Sequence, residues 1–285
     1  MILVTGATGN VGREVVNLLL ASGENVMAVT CNPATAALPD GAYVVAGDPS
    51  HPQTLTPVLR GVEAVFISPR ALGDATAGAA TADLLKLAAE QGAARVVALS
   101  AVTVEYGGGY QRFADAFRAV EDATKASGLQ WTILRCADFD ANALSWVPQI
   151  RQTGVVRGVY GDGATSSIHE RDVAAVSARV LVDTAHAGQT YVLTGQQSLT
   201  QRAKVCLIGE AIGKDIPWVE VDPGQFRLAM LAQGLPEDVP DRVIGYWVDR
   251  VLEPGPTSDT VEQLLGRPAL TFAEWAIEHA AAFRS

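Results

Sequence analysis

The chain has 285 residues, 48% of them apolar and 18% charged, which is enough for one large core, or a core with a smaller lobe, and too apolar for disorder. A formal charge of −10, with no local cluster of Lys and Arg, repels a phosphate backbone, so direct nucleic-acid binding is not expected. Cys31, Cys136 and Cys206 are widely spaced and form no C-x-x-C pair, which argues against a disulfide framework or a zinc centre.

In chain order, Ile2 to Val4 read as a short buried strand. Because it starts almost at Met1, no room is left for a secretion signal, and no later apolar run approaches a membrane span. A soluble, cytoplasmic protein without membrane contact is expected. Gly6, Gly9 and Gly12 follow with G-x-x-G-x-x-G spacing, and Val11, Val15, Leu18 and Leu19 then recur on one helix face. Strand, glycine turn and helix in this order suit a dinucleotide pyrophosphate. The turn lets backbone approach the phosphates, and the first amides of the helix offer hydrogen bonds and partial positive charge.

Further strands are predicted over Asn25 to Thr30, Ala42 to Ala46, Val62 to Ser68, Ala94 to Ser100 and Trp131 to Arg135. Helices are predicted over about Ala75 to Gln91 and over Tyr110 to Ala126, the latter with Phe113, Phe117 and Val120 along one stripe. Near-continuous apolar strands separated by helices imply α/β architecture, a doubly wound, mostly parallel Rossmann sheet covered on both faces. Ligands bind such sheets at the carboxyl ends of the strands, where Gly6, Cys31, Asp48, Ser68, Ser100 and Cys136 all fall.

From about Asn142 the rhythm changes. Glycines at 154, 158, 161 and 163 mark a loop or hairpin region, and Ile168-His169 leads into a helix that Asp172 is placed to cap. Tyr191 to Thr194 and Trp218 to Val221 read as short strands, and the remainder is mostly helical. The expected division is a dinucleotide-binding Rossmann domain over 1–150 and a smaller, mainly helical substrate or cap lobe over 151–285, with some segments returning to the core.

The ordered set GATGNVG (6–12), GDP (47–49), GVEAVFISP (61–69), LSA (99–101), VEDATKASGLQWTILR (120–135), HERDVA (169–174) and SDTVEQLLGRPALTFAEWA (258–276) resembles the NmrA-like group of atypical short-chain dehydrogenase/reductases. That group includes triphenylmethane-dye and quinone reductases and also redox-sensing regulators. The resemblance runs nearly end to end. It implies a bound nicotinamide dinucleotide and a cleft between the Rossmann domain and the C-terminal lobe. The implied cofactor contacts are Gly6, Thr8, Gly9, Asn10 and Val11 in the turn, Cys31 and Asn32 after strand two, and Asp48, Ser68, Pro69, Ser100 and Cys136 at later strand ends. Phe117 and Phe139 are expected toward the nicotinamide.

Two departures from the family pattern matter. Where similar proteins carry an Arg for the NADP 2′-phosphate, this chain has Cys31, and Thr30 and Asn32 beside it are equally uncharged. Arg13, just after the third glycine, is the available compensation, and with family habit it tilts the expectation to NADP(H) over NAD(H). Secondly, counting back from Glu121, the Tyr-x-x-x-Lys pair of short-chain reductases is replaced by Phe113 and Phe117. Phe113 reads as a core residue, and Phe117 as a ring packing against the nicotinamide or a flat substrate. Tyr106 and Tyr110, flanking Gly107 to Gly109, and His169 are weaker proton-handling candidates, read first as loop packing and a helix cap. Cys31 and Cys136 read by default as small apolar residues, with oxidation sensing the sharper alternative.

No catalytic residue and no metal ligand is assigned. The leading expectation is an NAD(P)H-dependent reductase passing hydride to a flat or aromatic acceptor such as a quinone or dye, which needs orientation more than a resident acid. The alternative is a non-catalytic NAD(P)-binding redox sensor acting through a protein partner. A third reading, dehydration or isomerisation on a retained fold, has no carboxylate or His constellation to support it.

Overall fold

The computed structural model describes residues 1–73, 76–107 and 111–284, apart from the side chain of Arg112. Seven strands form one parallel sheet in the order β3-β2-β1-β4-β5-β6-β9: β1 Ile2–Val4, β2 Val26–Thr30, β3 Tyr43–Ala46, β4 Ala64–Ile67, β5 Arg95–Ala101, β6 Gln130–Cys136 and β9 Gln189–Leu193. Two small pairs lie outside it, β7 Val156–Gly158 with β11 Trp218–Glu220, and β8 Ala164–Thr165 with β10 Leu199–Thr200. The six expected Rossmann strands are all present within a residue or two of their predicted bounds. The Tyr191 segment, read from sequence only as a short strand, supplies the seventh by pairing with β6.

Side-chain alternation divides the core between the two sheet faces. Ile2, Val4, Ala28, Phe66, Val97 and Leu99 face α1 (Asn10–Ala21) and α6 (Glu170–Val182) in one cluster. Leu3, Met27, Val29, Val65, Ile67, Val96 and Ala98 join the opposite cluster, which takes in α2 (Ala77–Glu90) and Val120 of α4 (Gln111–Ala126). Between β5 and α4 lies the short α3 (Thr103–Tyr106). The predicted starts of α2 at Ala75 and of α4 at Tyr110 lie outside the described residues, as does Tyr110 as a candidate phenol. β3 departs from the both-faces-buried expectation: as the edge strand it leaves Tyr43 57% exposed.

After β6 a 3₁₀ segment, Asp140–Trp146, leads into α5 (Val147–Thr153). The later helices are α7 (Gln201–Ile212), α8 (Pro223–Ala232), α9 (Asp238–Leu252), α10 (Thr260–Leu265), α11 (Phe272–Glu278) and α12 (Ala280–Phe283). A third core of Ile150, Val156, Val205, Ile208, Phe272, Trp275 and Phe283 holds this part together. Trp275 is fully buried and stacks on His279 at 4.4 Å between ring centres. No helix among the described residues is long and apolar enough to cross a membrane.

The cap of α6 differs from expectation. His169 Nδ1 accepts the Arg171 amide at 3.2 Å as the N-cap, which is the role read first for His169, while the cap expected of Asp172 is not made. Asp172 is inside the helix and fully buried, holding the later chain by accepting from Arg267 Nη2 and the Leu270 amide, each at 2.6 Å. Sequence proximity to a helix start could not tell the cap from a tether whose partners lie about a hundred residues on.

Candidate active site

The glycine turn begins where β1 ends. Thr5 is fully buried, and its hydroxyl donates to the Phe66 carbonyl and accepts from the Ser68 amide, both at 2.9 Å, which joins the ends of β1 and β4 beneath the glycines. Gly6 has φ +64°, the left-handed region, and a Cβ there would come within 2.9 Å of the Ser68 side chain. At Gly12 a Cβ would fall 2.1 Å from the Gly6 carbonyl oxygen, so α1 can lie against the turn only with hydrogen at that position.

Gly9 is the N-cap of α1 and offers its first amides no side-chain acceptor, and no acidic residue stands in the first turn. Thr8, Gly9 and Asn10 are exposed, while Val11 is buried beneath them. The amide groups that open α1 have no side-chain cap, and the helix dipole favours an anion there. These residues fit the pyrophosphate of a nicotinamide dinucleotide, a carrier that supplies hydride when bound.

On the side of β2, Cys31 and Asn32 are exposed, and the Asn32 amide is held by Thr30 Oγ1 at 3.2 Å. Asp48 is less free than its position suggested. Its carboxylate accepts from the Ser50 hydroxyl at 2.6 Å and the Ser50 amide at 2.9 Å, with His51 Nδ1 at 3.0 Å. The Ser50 and His51 bonds hold its carboxyl below the usual carboxylate range.

At the ends of β4, β5 and β6 the expected residues separate into two kinds. Ser68 is half-buried beside Gly6, and Pro69 is buried at the start of a 3₁₀ turn, Pro69–Leu72. Ser100 is buried with its hydroxyl committed to Glu121 at 2.7 Å. Glu121 also accepts from Arg135 Nε and Nη2, each at 2.8 Å, and from Lys125 at 3.2 Å, and Arg135 reaches on to Glu105 at 2.5 Å. Ser100 is thus part of a polar brace and has no free hydroxyl proton to offer a ligand. Cys136 is buried, its thiol donating to the Leu134 carbonyl at 3.6 Å, and burial pushes its pKa far up. That corrects the oxidation-sensing alternative for Cys136, since a protonated, inaccessible thiol is unreactive.

Phe113 and Phe117 pack edge to face with ring centres 5.0 Å apart. Phe113 is 37% exposed and so is not the core residue its spacing suggested; one turn further along α4, Phe117 is half-buried. The guanidinium of Arg242, on α9, lies 5.0 Å from the Phe113 ring centre. One helical turn beyond Arg242, the Tyr246 hydroxyl donates to Asp138 Oδ1 at 3.0 Å, two residues past the end of β6. The same face of α9 therefore meets both the aromatic pair on α4 and the carboxyl end of β6. Phe139, next to Asp138, is half-buried and pairs as an isolated bridge with Ile168. Tyr106 ends α3 with 45% exposure, next to the Gly107 cap, so the residue expected to flank the glycine run sits on a helix end.

Behind Asp138 is a polar group that sequence reasoning missed. Lys204, nearly fully buried, donates to Thr165 Oγ1 at 2.8 Å and sits 3.5 Å from Asp138 Oδ2. Asp140 is 1% exposed, and burial pushes its pKa to about 7, against the pull of the Ser167 hydroxyl and the Lys204 charge. Burial and the Asp138 carboxylate keep the Tyr246 phenol protonated. The only available signal was the i, i+4 spacing of Arg242 and Tyr246, which does not say what the helix faces.

A family model described as NAD(P)H-binding matches residues 6–184. A (4-alkanoyl-5-oxo-2,5-dihydrofuran-3-yl)methyl phosphate reductase of Streptomyces griseus is 34% identical over 286 residues, covering 99% of each chain. An NAD(P)H azoreductase of Xenophilus azovorans is 32% identical over 289 residues, again covering 99% of each. Among solved structures, the NADPH complex of an NADPH-dependent quinone oxidoreductase from Escherichia coli superposes with a TM-score of 0.82 at 27% identity, over 98% of this chain and 99% of that one. The chain belongs to the NAD(P)H-binding family and is an NAD(P)H-dependent oxidoreductase.

Proposed function

We propose that the protein passes hydride from NADPH to a flat, conjugated acceptor held between the Phe113–Phe117 face of α4 and the Arg242–Tyr246 face of α9. The observation that carries this reading is the exposed ring of Phe113, edge-on to Phe117 and capped by Arg242, where a proton-donating pair would otherwise stand. Such a surface orients a planar π-system and lets a cation sit beside it, but neither ring can move a proton. Acceptors whose reduced oxygen or nitrogen takes its proton from water suit that arrangement. The dihydrofuranone, azo group and quinone named for the three similar proteins share a planar conjugated acceptor, which supports the same class here.

In this reading the exposed start of α1 holds the pyrophosphate, Cys31 and Asn32 border the adenosine ribose, and Phe117 and Phe139 border the nicotinamide. Binding energy is spent on position, bringing C4 of the nicotinamide against the acceptor. The test mixes purified protein with NADPH and a panel of quinones, azo dyes and conjugated lactones, following loss of nicotinamide absorbance. Turnover that disappears in Gly9→Trp supports the assignment. Tight dinucleotide binding without turnover on any acceptor would instead favour a redox sensor, and failure to bind any dinucleotide would sink both.

A further inference from the structure

Resting on the reading of the glycine turn as a dinucleotide site, we propose that Arg13 is the residue that reads the 2′-phosphate of NADP(H). The end of β2, where that phosphate lies in a Rossmann domain, has only uncharged side chains in Thr30, Cys31 and Asn32. Arg13 stands one turn into α1, past the Gly9 cap. Its guanidinium crosses from the helix to the loop after β2, where Nη2 donates to the Ala36 carbonyl at 3.1 Å and Nη1 to the Ala37 carbonyl. Nη2 also lies 3.5 Å from the Thr8 carbonyl in the glycine turn. The cation thus spans the gap between the pyrophosphate turn and the β2 loop, which is where the adenosine ribose has to sit.

Two features separate this from an ordinary surface arginine. Ala37 has φ 45°, a left-handed conformation that costs a non-glycine residue energy, and its carbonyl is one of those given to Arg13. A strained loop residue is therefore held by the same group that fixes the guanidinium. Among the described residues no carboxylate lies within 4.0 Å of Arg13. Carbonyl dipoles hold the fork in place without neutralising it, so its charge and its remaining N–H groups are available to an anion. In a chain of net charge −10, an uncompensated cation beside the ribose favours the phosphorylated dinucleotide.

The loop that Arg13 fastens also borders the ribose, so the test has to separate phosphate reading from loop fastening. Dissociation constants for NADPH and NADH are measured by titration calorimetry on the full chain, on Arg13→Gln, which keeps an amide donor for the carbonyls, and on Arg13→Lys, which keeps the charge. The expected result for Arg13→Gln is NADPH binding weakened roughly tenfold to a hundredfold, as for a lost charged hydrogen bond, with NADH affinity changed by less than about threefold. Arg13→Lys is expected to keep a preference for NADPH. Equal weakening of both dinucleotides in Arg13→Gln, or an NADPH preference unchanged by it, overturns the assignment. If Arg13→Gln does not fold, Arg13→Lys decides by whether NADPH preference survives. A wild-type chain that binds neither dinucleotide overturns the oxidoreductase reading itself, which these other outcomes leave standing.

Discussion

The Ser100 hydroxyl donates to the Glu121 carboxylate at 2.7 Å, fastening the carboxyl end of β5 to the middle of α4. Glu121 lies almost wholly out of water at 2% side-chain exposure, yet is ionised. Burial opposes its charge, but the bonds from Arg135 and Ser100 outweigh burial and hold the carboxyl below its ordinary range. The brace sets the rotation of α4, and with it the direction in which Phe117 and Phe113 point.

Glu121→Ala is therefore expected to lower stability by about 3 kcal/mol, because Arg135 and Ser100 lose their buried partner. A depressed folded pKa contributes stability above the ordinary carboxylate pKa and loses it as pH falls through the folded value. Urea unfolding of the wild type should weaken on acidification below the carboxylate range, and more steeply than in Glu121→Gln.

Asp140 predicts a pH dependence of opposite sign. Burial raises its pKa from 3.8 to about 7, so the folded chain keeps a proton that the unfolded chain releases. Stability is highest below the unfolded value and declines as pH rises from about 4 to about 7, by up to ~4 kcal/mol over that window. Asp140→Asn copies the protonated form. It should gain stability over the wild type at pH 8 and match it at pH 4 in urea unfolding, and an unchanged slope between those values would refute the placement of the proton.

Gly12→Ala places a methyl 2.1 Å from the Gly6 carbonyl oxygen, where backbone has to shift. A cost of about 1–3 kcal/mol is expected from overpacking, with NADPH binding lost as the turn opens. A folded, normally melting Gly12→Ala that still binds NADPH would show that the close approach is unnecessary. Gly9→Trp, by contrast, covers the helix start from outside, and should abolish NADPH binding with little change in melting temperature.

If Phe113 orients the acceptor, Phe113→Ala should raise KM for a quinone or dye about tenfold, the scale of one lost aromatic contact, and leave the NADPH dissociation constant alone. Steady-state kinetics with a parallel NADPH titration check this. A change in NADPH binding with KM untouched would move Phe113 from the acceptor to the cofactor.

The thiols offer a quick check of burial. Cys31 and Cys206 are exposed, and Cys136 is buried with its pKa driven up by burial. Alkylation of the native chain should modify Cys31 and Cys206, with Cys136 labelled only after unfolding, as read by peptide mass.

What is local in the chain was legible from residues alone. β1, the glycine turn and α1 are written within 21 residues, and the hydrophobic period of the later strands and helices gave the doubly wound sheet. The wide departures came where a side chain's partner is remote. Phe113 has the spacing of a core residue, but it opens toward α9, because Glu121, Arg135 and Ser100 fix how α4 is turned. Asp172 sits where a cap is expected, yet its partners are Arg267 and Leu270, and the cap falls to His169. Asp138 and Tyr246 meet across 108 positions, and Arg13 finds its carbonyls 23 and 24 residues on. Sequence by itself determined the glycine turn and the uncapped start of α1, since backbone conformation and a helix end are local properties. Only the tertiary structure decided that α9 meets Phe113 on α4 and that Arg13 lies against the loop after β2, because those depend on which side of each helix is turned inward, and that is set by contacts between distant parts of the chain.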